Sequence, residues 1–143
     1  MFIIFAFLLC SYYVRRINYT VLEPTAVLEY PQKREFIFSQ QEEFNKFWEE
    51  YCKVFNSKGE KLPPPEIDFS KNMVIIVFSG EKPTSGYKIE IEKVEEHKNS
   101  IKVFVKEYPL KKDRIVMPVI TYPYVIFKIK KVKKPIEFIY LKS

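Results

Sequence analysis

Met73-Val74-Ile75-Ile76-Val77-Phe78 is apolar at every position, and the fold is decided by how this stretch is read. A strand with one wet face alternates apolar and polar residues, whereas a strand with no polar position must be covered on both sides. The run is therefore expected at the centre of a sheet, with a sheet or a helix on each flank. Downstream, the period is two. Tyr87, Ile89 and Ile91 oppose Lys88, Glu90 and Glu92, and Ile101, Val103 and Val105 oppose Lys102, Phe104 and Lys106. Joined by a polar turn over 95–100, these segments predict an antiparallel hairpin with one dry face.

The alternation returns at Val125, Phe127 and Ile129 against Lys128 and Lys130, and a last strand carries Ile136, Phe138 and Tyr140. Upstream, residues 17–38 read as extended pieces broken at Pro24 and Pro31. The period then changes. Phe44, Phe47, Trp48, Tyr51 and Phe55 recur at spacings of three and four, with Ser39 and Glu42 placed as a capping box. This predicts an amphipathic helix over about residues 40–55, its aromatic stripe packed on a sheet. Pro63-Pro64-Pro65 forbids a regular ladder and makes a stiff connector. The expected class is mainly β (α+β): an antiparallel β-sandwich or half-open barrel of six to eight strands with one packed helix.

The 143 residues fit one domain, expected over 17–143 behind an apolar segment over 1–16. Met1 to Val14 is almost wholly apolar and is followed by Arg15-Arg16, which reads as an export signal or a membrane tether. Cys10, after Leu8-Leu9, is a lipidation candidate within it, and a buried first strand is the alternative. The expected location is the cell envelope, or the cytoplasm if the segment is not a signal. Cys10 and Cys52 lie in segments too different to be read as a disulfide. The net charge of +6 is uneven: from Lys102 to Lys142 eleven Lys/Arg stand against three acids. That excess reads either as lysines on wet strand faces or as a surface for anionic lipid or nucleic acid. Nucleic acid is the weaker reading, since the strands lack the aromatic triplets of an RNA-binding sheet.

No pattern for chemistry stands out. His97 is the sole histidine and sits among charged residues, too few ligands for zinc and no base for a nucleophile. Glycine-rich phosphate loops are missing, and the carboxylate pairs lie on a helix surface or a turn. No catalytic residue, metal or cofactor is expected. The loop Gly80 to Gly86 is different. Pro83 fixes one φ, the two glycines allow tight corners, and Thr84 and Ser85 can bond the loop's own backbone. A loop held in this way loses little entropy on binding. Pro83, Thr84, Ser85, Gly86 and Tyr87 are the expected partner-binding residues, joined by Tyr122 and Tyr124 in the aromatic stretch Thr121-Tyr122-Pro123-Tyr124.

Pro64-Pro65, Ile67-Asp68-Phe69-Ser70, the strand Val74 to Phe78, Pro83-Thr84-Ser85-Gly86-Tyr87 and Pro123-Tyr124 together resemble the PrcB-like family, over about residues 34–139. The family usually reads P-T-G-G-Y where this chain has Ser85, and often has histidine where it has Val125. The resemblance implies an exported or lipid-anchored accessory domain without established catalytic activity, which assists or assembles with a secreted protease. The expected partner is thus a protein, a protease in particular. Pro83 to Tyr87 is also similar to the N-P-T-T-G-Y loop of chagasin-type inhibitors of cysteine proteases, although Lys82 replaces the asparagine and no Arg-Pro-Trp element follows.

Overall fold

A computed structural model of the chain describes residues 13–22 and 27–142. Strand β4 (Asn72–Ser79) runs antiparallel to both of its neighbours, β3 (Lys33–Phe38) and β7 (Tyr124–Lys130). Beyond β7 lies the two-residue β2 (Thr20–Val21), giving the order β2-β7-β4-β3. The second sheet has the order β1-β5-β6-β8, from β1 (Val14–Arg16), β5 (Lys88–His97), β6 (Ile101–Tyr108) and β8 (Ile136–Leu141). Helix α1 (Gln41–Tyr51) covers the first sheet on its other face. The β4-containing sheet is therefore the middle of three layers. Val74, Ile76 and Phe78 point to the helix, and Met73, Ile75 and Val77 point to the second sheet. The expectation of a sandwich with one packed helix holds, and no barrel closes.

Several expectations change. The helix ends at Tyr51 rather than near residue 55: Cys52 is extended and pairs with Leu28, so the backbone is claimed by a bridge before the next turn can form. Phe55 thus leaves the aromatic stripe and is half-exposed. No capping box forms, because the extended residue before the helix is Gln40, one position past Ser39. Trp48 stays on the stripe, and its indole N–H donates to the Leu62 carbonyl at 2.8 Å, tying the helix to the proline connector. Strand β5 runs on to His97, so only Lys98–Ser100 turn. A bulge between Ile91 and Lys93 changes its phase and lets Val94 join Ile89 and Ile91 inside. Strand β8 lies parallel to β6, because the chain leaves β7 in one sheet and enters β8 in the other.

Val14–Arg16, part of the segment read as apolar and N-terminal, pair with β5 as an edge strand. Residues 1–12, with the lipidation candidate Cys10, lie outside the described residues. Among the described residues no helix is long and apolar enough to cross a membrane.

One flank of the sandwich is closed by polar side chains. Ser79 Oγ donates to Glu107 Oε1 at 2.7 Å and Lys33 Nζ donates to Glu107 Oε2 at 2.9 Å, while the Tyr140 hydroxyl donates to Glu35. These residues join β3 and β4 of one sheet to β6 and β8 of the other. Burial alone would raise the Glu107 carboxyl, but the bonds from Ser79 and Lys33 hold it below the usual carboxylate range. Burial and then the bond to Glu35 push the Tyr140 phenol well up.

Two predictions follow from these layers. Ile75→Ala and Ile76→Ala, on opposite faces of β4, should each cost about 2–5 kcal/mol in denaturant unfolding. Ile37→Ala, at a site 42% exposed on β3, should cost less than about 1 kcal/mol. Because the Glu107 carboxyl is depressed in the fold, its contribution is present above the unfolded value of about 4.3 and is lost as pH falls through the folded one. Urea unfolding of Glu107→Gln should show lower stability at neutral pH and a shallower loss on acidification than the parent.

Candidate functional site

Loop 80–87 leaves β4 at the end of the middle sheet, and its first bonds go to the edge strand's approach. Gly80 has φ +95° and sits so close to Lys33 that an added Cβ would lie 3.3 Å from that backbone nitrogen. The Glu81 amide donates to the Pro31 carbonyl at 2.9 Å. The loop then pairs with the segment leading into β7. Lys82 and Thr121 exchange both amide–carbonyl bonds, at 2.8 and 2.9 Å, and the Thr121 hydroxyl donates to the Thr84 carbonyl at 2.8 Å. Ser85 grips Met117 twice: its amide donates to the Met117 carbonyl at 3.0 Å, and the Met117 amide donates to Ser85 Oγ at 2.8 Å. The two loops singled out from the sequence therefore form one end of the domain.

This pairing alters the expected roles. Pro83 alone of the five loop candidates is exposed, at the tip; Thr84, Ser85, Gly86 and Tyr87 are half-buried. The Thr84 hydroxyl donates to the loop's own Ser85 carbonyl at 3.0 Å and Ser85 Oγ is taken by the strap, so neither side chain displays a free polar group. Tyr87 is covered by Lys82, whose Nζ lies 5.3 Å from the ring centre. The Tyr122 hydroxyl donates to Glu81 Oε1 at 3.3 Å. Tyr124 corrects the expectation of an exposed contact residue. It opposes Phe78 in the β4–β7 register, its ring is 5.5 Å from the Phe78 ring, and burial raises its phenol well above the ordinary value. With Tyr87 and Pro123 it lines a cleft of about 640 Å³ between β5 and β7.

The residues most open to a partner lie elsewhere, on the strap over residues 109–121. Ile115 is fully exposed, Met117 is 63% exposed and Ile120 60%, with Val119 beside them. Single exposed apolar residues are ordinary, but a contiguous group on a soluble domain marks a contact surface. The group is held outward because Val116 points in: a Cβ on Gly86 would meet Val116 Cγ1 at 2.9 Å and Leu110 Cδ2 at 2.8 Å. The Val119 amide bonds back to the Met117 carbonyl at 2.8 Å, turning the chain across Pro118. The signal was present in the sequence as Ile115-Val116-Met117-Pro118-Val119-Ile120. Such a run carries no sign of which side it faces.

The other singled-out residue is His97. It closes β5 half-buried, with Nε2 3.5 Å from Glu95 Oε1. Among the described residues no group of three His, Cys, Asp or Glu side chains is placed to hold a metal ion.

Residues 73–130 match the model of a family described as PrcB C-terminal. The match confirms the resemblance read from the sequence, over a narrower span: it runs from β4 through β7, taking in loop 80–87 and the strap but leaving out the helix and β8. The position where that family often has histidine, Val125, is buried between the sheets. No curated protein and no solved structure matches the chain.

Gly59 and Gly86 both have positive φ, +79° and +97°, but only Gly86 has side chains where a Cβ would go. Gly59→Ala should lose about 1–2 kcal/mol in thermal or denaturant unfolding. Gly86→Ala should lose more, and hydrogen exchange at the Met117 amide should quicken as the strap is pushed from the loop.

Proposed function

We propose that the protein is a non-catalytic accessory domain that docks on another protein, a secreted protease, through the end formed by loop 80–87 and the strap. The observation that carries this reading is the exposed apolar group Ile115, Met117, Val119 and Ile120, fixed outward on a hydrogen-bonded loop. A surface ordered before binding gives up little conformational entropy when a partner arrives, so its apolar area goes largely into affinity. The PrcB C-terminal match supports a protease complex as the setting.

The loop's internal bonding also separates docking from inhibition. Thr84 and Ser85 are engaged with the strap, which leaves Pro83 as the only protruding residue of the similarity to chagasin-type inhibitors. The purified protein is expected to leave papain-like proteases fully active.

A photo-crosslinking residue at position 117, expressed in the native host, tests the reading. The expected adduct contains a secreted protease, and the same probe at the outward position 43 of α1 gives none. Affinity for the protease so identified should fall at least about tenfold in Met117→Ser/Ile120→Ser. Equal labelling from both positions, or unchanged affinity in the double variant, would remove this surface from the function.

A further inference from the structure

The end of the sandwich opposite the loop is chemically different. Strand β4 enters there at Asn72, β5 leaves at His97, and β7 leaves at Lys130. Asn72 and Ser79, the two ends of β4, lie seven residue steps apart, roughly 23 Å at about 3.3 Å per step. A cleft of about 640 Å³ opens at this end, between the margins of the two sheets. Arg15, Arg16 and the five lysines between positions 128 and 134 line it, and Glu96 is its single acidic residue. Even that acid is neutralised from within: Arg15 Nη2 lies 2.8 Å and Lys134 Nζ 3.4 Å from its carboxylate oxygens. Lys130, Lys131 and Lys133 project into solvent.

The chain also enters the folded domain at this end. Val14 pairs with His97, and Tyr13, 48% exposed, stands just before it with Lys134 Nζ 5.4 Å from its ring centre. The residues preceding Tyr13 are nearly all apolar. Cations clustered where an apolar stretch of sequence joins the domain supply the two signals that stable attachment to a bilayer calls for. We propose that this basic end rests on an anionic membrane surface, with phospholipid headgroups in the cleft and the loop end turned away from the bilayer. Single-stranded nucleic acid fits the cleft less well: among the described residues Tyr13 is the aromatic side chain that meets one of its cations, and unpaired bases need aromatic faces on which to stack.

The inference is independent of the docking surface and has its own test. The full chain is sedimented with vesicles of phosphatidylcholine alone, and with vesicles of phosphatidylcholine mixed with phosphatidylglycerol. Binding to the second should be at least about tenfold tighter, since each Lys or Arg near an anionic surface adds attraction. The increment should disappear as salt shortens the reach of the charges. Lys130→Gln/Lys131→Gln/Lys133→Gln should abolish most of it. Lys111→Gln/Lys112→Gln/Arg114→Gln, an equal change of charge at the loop end, should leave it intact. Equal binding to both vesicles would overturn the proposal, as would an equal loss in both triple variants. Tighter binding to duplex DNA than to the anionic vesicles would assign the cleft to nucleic acid instead.

Discussion

The exclusion of water from both faces of β4 is the constraint from which the architecture follows. Six consecutive apolar side chains cannot be covered by one neighbour, so the strand recruits the helix to Val74, Ile76 and Phe78 and the second sheet to Met73, Ile75 and Val77. Its flanking partners pair with it along nearly its whole length, β7 from Asn72 to Phe78 and β3 from Val74 to Ser79. Once β4 is fixed in this way, both of its ends are fixed too, and everything of functional interest hangs from those ends.

The two interiors differ in kind. Between the middle sheet and α1, the contacts are mostly aromatic: Phe36 meets Phe47 at 4.7 Å, Phe38 meets Phe44 at 5.5 Å, and Tyr30 meets Phe78 at 5.2 Å between ring centres. A round helix on a twisted sheet leaves uneven gaps, and large flat rings fill them. Between the sheets the residues are chiefly Ile and Val, with Phe127 the main exception. Two sheets packed face to face sit at a nearly constant separation, about 10 Å, which short branched side chains bridge by interdigitation. The aromatic wealth of the chain is therefore largely structural, which is why Tyr124, alternating onto the helix side of β7, packs half-buried against that core.

Alternation made the hairpin and the central strand legible, because a period of two directly reports one wet and one dry face. It does not report which strands are neighbours. The parallel pairing of β8 with β6 depends on a crossing between sheets that local pattern does not encode. The bulge after Ile91 was hidden for a related reason: one inserted residue leaves the apolar count unchanged and shifts only the phase. Helix length was misjudged because Phe55 continues the spacing of the stripe, whereas the bridge from Cys52 to Leu28 that ends the helix is a long-range contact. At the site, the residues of loop 80–87 were found and their pairing was not. Serine and threonine in a loop look alike whether they bond the loop itself, as the Thr84 hydroxyl does, or a strap more than thirty positions on, as Ser85 does. The apolar run Ile115 to Ile120 was missed because hydrophobicity in sequence ordinarily means burial, and here Gly86 admits only Val116.

The uneven charge of the chain acquires a direction from the strands. Strand β7 begins at Tyr124 beside the loop and ends at Lys130 beside the cleft, so one element carries aromatic character to one end of the domain and positive charge to the other. Lysines spread over wet strand faces would give a diffuse field. Lys111, Lys112 and Arg114 sit exposed on the strap, but the five lysines at and beyond the end of β7, joined by Arg15 and Arg16 through the pairing of β1 with β5, gather at the opposite pole. A rigid middle sheet holds that pole and the apolar strap apart at a fixed distance. Two surfaces at opposite ends of one small body need no hinge to work together; it is enough that the sheet between them does not bend.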